Sequence, residues 1–323
     1  MILKKLTKLC ETFISKYHCN DEEIMKKVQV LLSTYNGGKY LEEQLESILK
    51  QDYPDISVLI RDDGSSDHTL NIIKKYVEYD SRISYYSGVN IGVINSFFDL
   101  MKNADITADY FAFSDQDDVW KPNKISKAIV KLEGNHQDPI LYCSDTELVN
   151  EELDPIKSHI KKARITPGFG NALVENVCVG CTCVFNLKLL ELVKNHIPDY
   201  TIMHDWWLYL SASAFGKVVY DENAYILYRQ HSGNVMGMRL NYIEEFKSRV
   251  KNFKKIYINI RSQALDFKTK YNIDKDKLTI INYVINAKKN ILLRFHIAFS
   301  KKIYRQRKLD SFIVKILFIC GFI

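Results

Sequence analysis

A run of acidic residues follows a short apolar segment near the middle of the chain. Residues Tyr110–Phe113 have the aromatic composition of a buried strand, and after Ser114 the chain reads Asp-Gln-Asp-Asp at positions 115–118. Three carboxylates within four residues repel one another unless a positive group lies among them. Oxygen ligands suit Mg²⁺ or Mn²⁺, so the segment is predicted to hold a divalent cation. The alternative is an acidic turn that caps a helix beginning near Pro122.

Polar residues also follow two earlier apolar segments. Val28–Leu32 leads into STYNGG at 33–38, and Ser57–Ile60 leads into RDDGSSD at 61–67. Ligands of open α/β sheets bind beyond the carboxyl ends of the strands. Carboxylates there can accept hydrogen bonds from a base N–H or a ribose hydroxyl. Turn and helix-cap roles are the alternative, and they explain Asp67 better than Asp62 and Asp63.

Two further polar clusters lie in the second half of the chain. His204-Asp205-Trp206-Trp207 opens an apolar helix, where an acidic residue is ordinarily a cap or a partner of the helix dipole. Adjacent tryptophans add a second interpretation, because aromatic faces often contact sugars. Arg229 and His231 lie two positions apart after an expected strand at Tyr225–Leu227, so they share a face of an extended segment. The pair could serve a diphosphate and a metal, or be ordinary loop polarity.

The elements that would position these residues alternate regularly between strand and helix from Val28 to Leu132. This alternation predicts an α/β fold with a mostly parallel sheet and helices on both faces. The pattern loosens after Ile140–Cys143, although NVCVGCTCVF at 176–185 is also β-prone. Gly37-Gly38 does not complete the G-x-G-x-x-G fingerprint, which argues against a nicotinamide enzyme.

The composition is that of a globular chain with an uneven charge distribution. Of 323 residues 46% are hydrophobic, and the segment from Met236 onward holds 20 Lys and Arg against 6 Asp and Glu. A basic tail suits nucleic acid or an anionic membrane. No nucleic-acid-binding motif accompanies it, so nucleic acid is not an expected partner. Seven scattered cysteines favour a reducing compartment, and Cys178, Cys181 and Cys183 lack the second pair that a zinc site needs.

Three regions are expected along the chain. Residues 1–27 form an amphipathic helical extension, with apolar side chains at helical spacing through Tyr17. Residues 28–237 form the main domain, and residues 238–323 form a basic helical region. Ser311–Ile323 is apolar but has only 13 residues, too few to span a bilayer yet suited to its interface. The alternative for these C-terminal helices is packing on the main domain or in a dimer.

Five motifs, in order, carry a resemblance to a known family. STYN, RDDGSSD, SDQDDVW, HDWW and YRQHSGN together are similar to the motifs of family 2 glycosyltransferases with the GT-A fold. The match extends from Val28 to Gly237. Within the family, SDQDDVW with HDWW and YRQH most resembles bacterial rhamnosyltransferases of cell-wall or capsular polysaccharide synthesis.

The resemblance implies a role for each matching residue. The nucleotide and donor side would comprise Ser33, Thr34, Tyr35, Asp63, Asp115 and Arg229. The metal ligands would be Asp117 and His231, and Asp205 would be the general base. The acceptor side would comprise Cys181, Thr182 and Trp206. One base and in-line attack imply inversion at the anomeric carbon.

The expected protein is therefore a Mg²⁺- or Mn²⁺-dependent inverting transferase of a deoxysugar, with dTDP-rhamnose as donor. The acceptor would be a saccharide, carried on a polyprenyl lipid, at the inner face of the cell membrane in the cytoplasm. Another nucleotide sugar, of galactose, glucose or N-acetylhexosamine, is the nearest alternative. A sugar nucleotidyltransferase and a non-catalytic scaffold are further alternatives, and a homodimer stays open.

Overall fold

The computed structural model describes residues 25–134, 137–157, 163–231 and 259–321. The predicted amphipathic helix through Tyr17 and the predicted boundary at residue 237 lie outside these ranges.

A single eight-stranded sheet organises the described chain. Its strands are β1 Val28–Thr34, β2 Ile56–Asp62, β3 Ile83–Ser87, β4 Tyr110–Ser114, β5 Val119–Trp120, β6 Ile140–Val149, β7 Val184–Asn186 and β8 Lys217–Arg229. The order across the sheet is β3-β2-β1-β4-β7-β6-β8-β5. Strands β3, β2, β1 and β4 are parallel, whereas β7 runs antiparallel to both β4 and β6, and β5 runs antiparallel to β8. The sheet is mixed, and its parallel half is the part that strand–helix alternation predicts.

Helices cover both faces of this sheet. They are α1 Leu41–Leu49, α2 Thr69–Tyr79, α3 Gly92–Asn103, α4 Lys124–Leu132, the short α5 Phe169–Ala172, α6 Leu187–Lys194, α7 His204–Phe215, α8 at 259–270, α9 Lys275–Asn286, α10 Ile291–Phe299 and α11 Lys308–Ile319. Strand β1 shows why two faces need cover. Its residues Val30 and Leu32 belong to one apolar core with α1, while Leu31 between them belongs to the other core with α3 and α7.

The segment at 176–185 is mostly not a strand, unlike the sequence expectation. Only Val184–Asn186 pairs in the sheet, and Gly180–Thr182 is a single 3₁₀ turn. Turn hydrogen bonds from Thr182 N–H to Val179 O and from Cys183 N–H to Gly180 O replace ladder pairing there. The thiol side chains of this segment are buried, because Cys178, Cys181 and Cys183 are all at most 1% exposed.

The C-terminal helices α8 and α9 contribute to the core beside α7. Phe267 on α8 packs edge-on against Trp207 at 5.2 Å between ring centroids, and Ile281 on α9 is fully buried in the same core. This part of the tail therefore packs on the main domain. Over the residues described, no helix is long and apolar enough to cross a membrane.

Candidate functional site

The predicted site residues gather where β1, β2 and β4 end. Because these strands are parallel and in register, with Thr34 opposite Asp62 and Leu32 opposite Ser114, the polar segments that follow them emerge at one edge of the sheet. The residues beyond β8 reach the same edge, since Arg229 N–H donates to Asp118 Oδ1 at 3.1 Å. The topology thus brings together the motifs STYN, RDDGSSD and SDQDDVW, and also the start of YRQHSGN.

Gln116 joins two of these segments. Its Oε1 accepts hydrogen bonds from Thr34 Oγ1 at 2.7 Å and from Tyr35 N–H at 2.8 Å, and its Nε2 donates to Tyr35 O at 3.2 Å. A Cβ on Gly37 would lie 2.3 Å from Gln116 Oε1 and 2.7 Å from Thr34 Oγ1, so a larger residue at that position would displace these side chains. Thr34 is buried, while Tyr35 leaves 46% of its surface exposed beside it. Tyr35 is thus available for contact with a ligand.

The other residues predicted for the nucleoside have protein partners. Asp63 is 2% exposed; it is ion-paired with Arg61 and accepts hydrogen bonds from Ile91 N–H and Gly92 N–H, both at 2.9 Å. Ser33 Oγ lies 2.6 Å from Ser96 Oγ. Asp63 therefore links the end of β2 to the start of α3. Its predicted contact with the base of the nucleotide stays a prediction.

A partly buried acidic cluster lies at the end of β4, with Asp118 buried and Asp115 half-buried. Oxygens of Asp115 and Asp118 and the sulfur of Cys181 lie within 4.8 Å of one another. Burial, reinforced by the charges of Asp117 and Asp205, raises the pKa of Asp115 to about 8. Burial also raises the pKa of Asp118 well above its usual range, with the charges of Asp117 and Asp115 adding to it. Repulsion between these carboxylates is what a bound cation would relieve.

Asp117 and His231 form a contact at the mouth of this cluster. The Nε2 of His231 lies 2.8 Å from Asp117 Oδ2, and the imidazole packs against the ring of Tyr40 at 5.1 Å. Both side chains are more accessible than Asp118, at 13% and 14% exposed. The structure therefore brings the two predicted metal ligands together, 114 residues apart in sequence.

Arg229 is 2% exposed and fixes the surrounding loops. Its Nε donates to Asp117 O at 2.8 Å, Nη1 donates to Glu151 O, and Nη2 is ion-paired with Glu43. The guanidinium lies over the ring of Tyr40 at 4.6 Å. Its predicted contact with a phosphate stays a prediction.

Asp205 lies in the first turn of α7, within reach of the acidic cluster. Only 7% of the residue is exposed, and its buried Oδ1 has no hydrogen-bond partner among the described residues. Burial raises the pKa of Asp205 to about 7, against nearby N–H groups of Trp206 and Gly180 that lower it. A carboxylate that titrates near neutral pH suits a general base. Its neighbour His204 is buried against Phe97 at 3.9 Å, and burial lowers the pKa of His204 to about 3, so that the ring is neutral.

The predicted acceptor-side residues are close to Asp205 but largely buried. Gly180, next to Cys181, packs against Asp205, because a Cβ there would lie 3.5 Å from Asp205 Oδ2. Thr182 Oγ1 donates to Val179 O at 2.7 Å, and Trp206 Nε1 donates to Ala172 O at 2.6 Å. Trp206 is 8% exposed and Trp207 is completely buried. The tryptophan pair is thus mainly a packing element, and an acceptor role for Trp206 stays a prediction.

The donor set fits a hard divalent cation. Ligands are offered by two groups: the carboxylates of Asp115 and Asp118, which lie with Cys181 within 4.8 Å of one another, and the contacting pair Asp117 and His231. These are mainly oxygen ligands, and the buried Oδ2 of Asp118 lacks a hydrogen-bond partner in the described part of the chain. Cys181 is a softer ligand, and burial raises the pKa of its thiol well above its usual range.

Sequence reasoning missed three residues that hold the site together: Gln116, Glu43 and Tyr40. Gln116 stands between acidic residues, where the sequence gives its amide no role of its own. Glu43 and Tyr40 lie on or just before α1, where a surface glutamate and tyrosine carry no signal of their own. Their partner Arg229 is 186 residues from Glu43 in sequence.

Comparisons with known proteins agree with this fold. The profile of glycosyl transferase family 2 matches residues 29–193. The dTDP-rhamnosyl transferase RfbG of Shigella flexneri is 34% identical over 227 residues, which cover 67% of this chain and 77% of that relative. The chain belongs to glycosyl transferase family 2.

Two solved structures support the fold assignment. S. aureus TarS 1–349 in complex with UDP-GlcNAc has a TM-score of 0.57 at 20% identity, over 92% of this chain and 82% of TarS. The mannosyltransferase PcManGT of Pyrobaculum calidifontis, with GDP-Man and Mn²⁺, has a TM-score of 0.52 at 13% identity, over 91% of this chain and 86% of that one. The protein is a glycosyltransferase with the GT-A fold, and a rhamnosyltransferase is among its homologues.

Proposed function

We propose that the protein is a metal-dependent inverting glycosyltransferase that moves rhamnose from dTDP-rhamnose to a saccharide acceptor in surface polysaccharide synthesis. The observation that carries the proposal is Asp205, a buried carboxylate with a pKa raised to about 7, beside the acidic cluster at the end of β4. The likeness to RfbG supports the donor.

The chemistry divides between two groups of residues. Asp205 removes the proton from the acceptor hydroxyl as its oxygen forms a bond to the anomeric carbon of the donor. The bond from that carbon to the diphosphate breaks on the opposite side, which inverts its configuration. Asp117 and His231, with Asp115 nearby, would hold the cation. When bound, a divalent cation supplies positive charge that stabilises the departing nucleoside diphosphate.

Tyr35 and the segments joined by Gln116 would hold the nucleotide. The exposed ring of Tyr35 is available to contact the base, and Gln116 fixes the backbone on both sides of it. The acceptor would approach past Cys181 and Trp206, next to the proposed base. We propose an acceptor carried on a polyprenyl lipid at an anionic membrane, supported by the basic charge of the C-terminal region.

A donor panel tests this function. The melting temperature of the full-length protein is measured with dTDP-rhamnose, UDP-GlcNAc or GDP-mannose, each with and without Mn²⁺. Release of the nucleoside diphosphate from each donor is measured in a separate reaction of the folded protein. A true donor raises the melting temperature, because it binds only the folded state. We expect the largest Mn²⁺-dependent rise with dTDP-rhamnose.

The variant Asp117→Ala should lose the Mn²⁺-dependent part of that rise, whereas Asp276→Ala, at an exposed carboxylate on α9, should keep it. If Asp117→Ala binds donor as the parent does, the metal site is assigned wrongly. Release of pyrophosphate instead of a nucleoside diphosphate would indicate nucleotidyl transfer.

A further inference from the structure

The C-terminal helices α10 and α11 carry a concentration of exposed apolar side chains. The exposed apolar residues on α10 are Ile291, Leu292, Phe295 and Phe299. Those on α11 are Leu309, Phe312 and Ile316. We call these seven side chains the hairpin surface. They are seven of the sixteen large exposed apolar side chains among the described residues, although the two helices hold only 21 residues.

Each helix presents these side chains on one face. At 3.6 residues per turn, the four on α10 fall within an arc of about 100° and the three on α11 within about 60°. The opposite sides are buried, with Ile297 on α10 and Val314 and Phe318 on α11 at most 1% exposed. The helices pack against each other, and Lys315 on α11 donates to Ser300 O at the end of α10 at 3.0 Å. Both helices are therefore already partnered on one side and apolar on the other.

The charge around the hairpin surface indicates what covers it. Between Lys288 and Gly321 the sequence holds nine Lys and Arg and one acidic residue, Asp310, which pairs with Arg307. A second copy of this chain would place basic residues against basic residues at such an interface. Four of the seven side chains are aliphatic, and aliphatic groups bind neither the phosphates nor the base edges of nucleic acid well. An anionic lipid surface satisfies both features, since it accepts apolar side chains and attracts cations.

The link between α10 and α11 is attached next to the proposed acceptor side. Tyr304 O accepts from Asn171 Nδ2 at 3.0 Å, and Arg305 Nε donates to Val174 O at 3.0 Å. The same short segment holds Ala172, whose carbonyl accepts from Trp206 Nε1 at 2.6 Å. The link between α10 and α11 thus contacts the segment that also binds the side chain of Trp206, a residue of the proposed acceptor side.

We propose that the hairpin surface docks the protein on an anionic lipid membrane, with the apolar side chains of α10 and α11 in the interface and the surrounding lysines at the headgroups. The helices lie in the plane of the interface, because 9 and 12 residues are too few to cross a bilayer. The inference deepens the membrane partner of the proposed function, but it does not depend on the sugar transferred or on Asp205.

Co-sedimentation of full-length protein with vesicles tests the docking. The vesicles are pure phosphatidylcholine or phosphatidylcholine with phosphatidylglycerol, at low and at high salt. We expect binding to the anionic vesicles that falls at high salt and is absent with phosphatidylcholine alone. If the parent stays in the supernatant with anionic vesicles at low salt, the docking is wrong.

Two matched double variants locate the surface. Phe299→Asp with Phe312→Asp changes side chains that are 81% and 61% exposed on the hairpin surface. Tyr79→Asp with Ile106→Asp changes side chains that are 83% and 60% exposed elsewhere, so the added charge and the exposure are the same. The first pair should weaken vesicle binding by at least about tenfold and the second pair should leave it near that of the parent. Equal effects of the two pairs would overturn the assignment of the surface.

Two further measurements separate the alternatives. Nucleotide release with a water-soluble acceptor should be the same in the Phe299, Phe312 variant as in the parent, so failure of docking is distinguishable from failure of the proposed chemistry. Sedimentation velocity without lipid measures the oligomeric state. A dimer that dissociates in this variant, with no vesicle binding by the parent, would assign the hairpin surface to a second copy and refute membrane docking.

Discussion

Replacing Asp205 by asparagine should lower the rate of transfer but raise the stability of the fold at alkaline pH. Asn has nearly the same shape as Asp but cannot take up a proton, so transfer should fall by roughly 10²–10⁴-fold, the usual contribution of a general base. Donor binding should persist, because the nucleotide side is built from the ends of β1, β2 and β4. In the parent, transfer should rise with pH through about 7, since only the ionised carboxylate accepts a proton.

The same substitution should stabilise the fold at alkaline pH. The pKa of Asp205 is raised from 3.8 to about 7, so the folded state keeps a proton that the unfolded chain has already lost. The free energy of unfolding therefore falls as pH rises across that window, by at most about 4 kcal/mol for a shift of about three units. Asn cannot ionise, so the variant escapes this loss. It should be the more stable protein at pH 8, by up to that amount, and close to the parent at pH 4.

Urea unfolding at pH 4 and pH 8, together with transfer rates, measures both effects. Asp276→Asn is the matched control, since Asp276 also occupies the first turn of a helix but is exposed, and it should change neither quantity strongly. Near-normal transfer by Asp205→Asn would remove this residue from the mechanism. If the variant is destabilised equally at both pH values, the pKa of Asp205 is not raised by folding and the argument from burial is wrong.

Two other substitutions test the surroundings of the site. Gly37→Ala places a Cβ 2.3 Å from Gln116 Oε1 and 2.7 Å from Thr34 Oγ1, so it should weaken donor binding by about fivefold, the value of one hydrogen bond. The loss should be smaller when Gln116→Ala is already present, because only the contact with Thr34 remains; equal losses in both backgrounds would contradict this. Lys124 is 1% exposed with its Nζ over the Trp120 ring, and burial lowers the pKa of Lys124 to about 8. Because the unfolded chain then holds more protons between pH 8 and 10.5, stability from this residue rises with pH there. Lys124→Met should abolish that rise in urea titrations, and an unchanged pH profile would count against it.

The parallel half of the fold could be predicted because its signals are local. Val28–Leu32 is a nearly continuous apolar run and Tyr110–Phe113 a continuous one, as expected for strands buried on both faces. They lie in the observed β1 and β4. The residues after such strands must meet at one edge of a parallel sheet. That rule alone brings the segments after β1, β2 and β4 together.

The prediction from local sequence was wrong for a segment that is largely buried but is mostly not a strand. The residues at 176–185 have the composition of a strand, yet most of them form turns whose side chains fill the core. Composition reports that a segment is buried and not how its backbone is paired. The same ambiguity affected Trp206 and Trp207, because a tryptophan at a helix start is equally suited to a sugar and to a core.

Arg229 and Asp63 show a different limit. Both were selected because their side chains suit a nucleotide, and both lie at the expected edge of the sheet. Yet the guanidinium of Arg229 donates to Asp117 O, Glu151 O and Glu43, and Asp63 accepts from Arg61 and two backbone N–H groups. A charged group that binds the loops of a site has the same residue type and the same position as one that binds its ligand. Sequence can therefore place such residues at a site, but only the partners of each polar atom distinguish the group that shapes the pocket from the group that enters it.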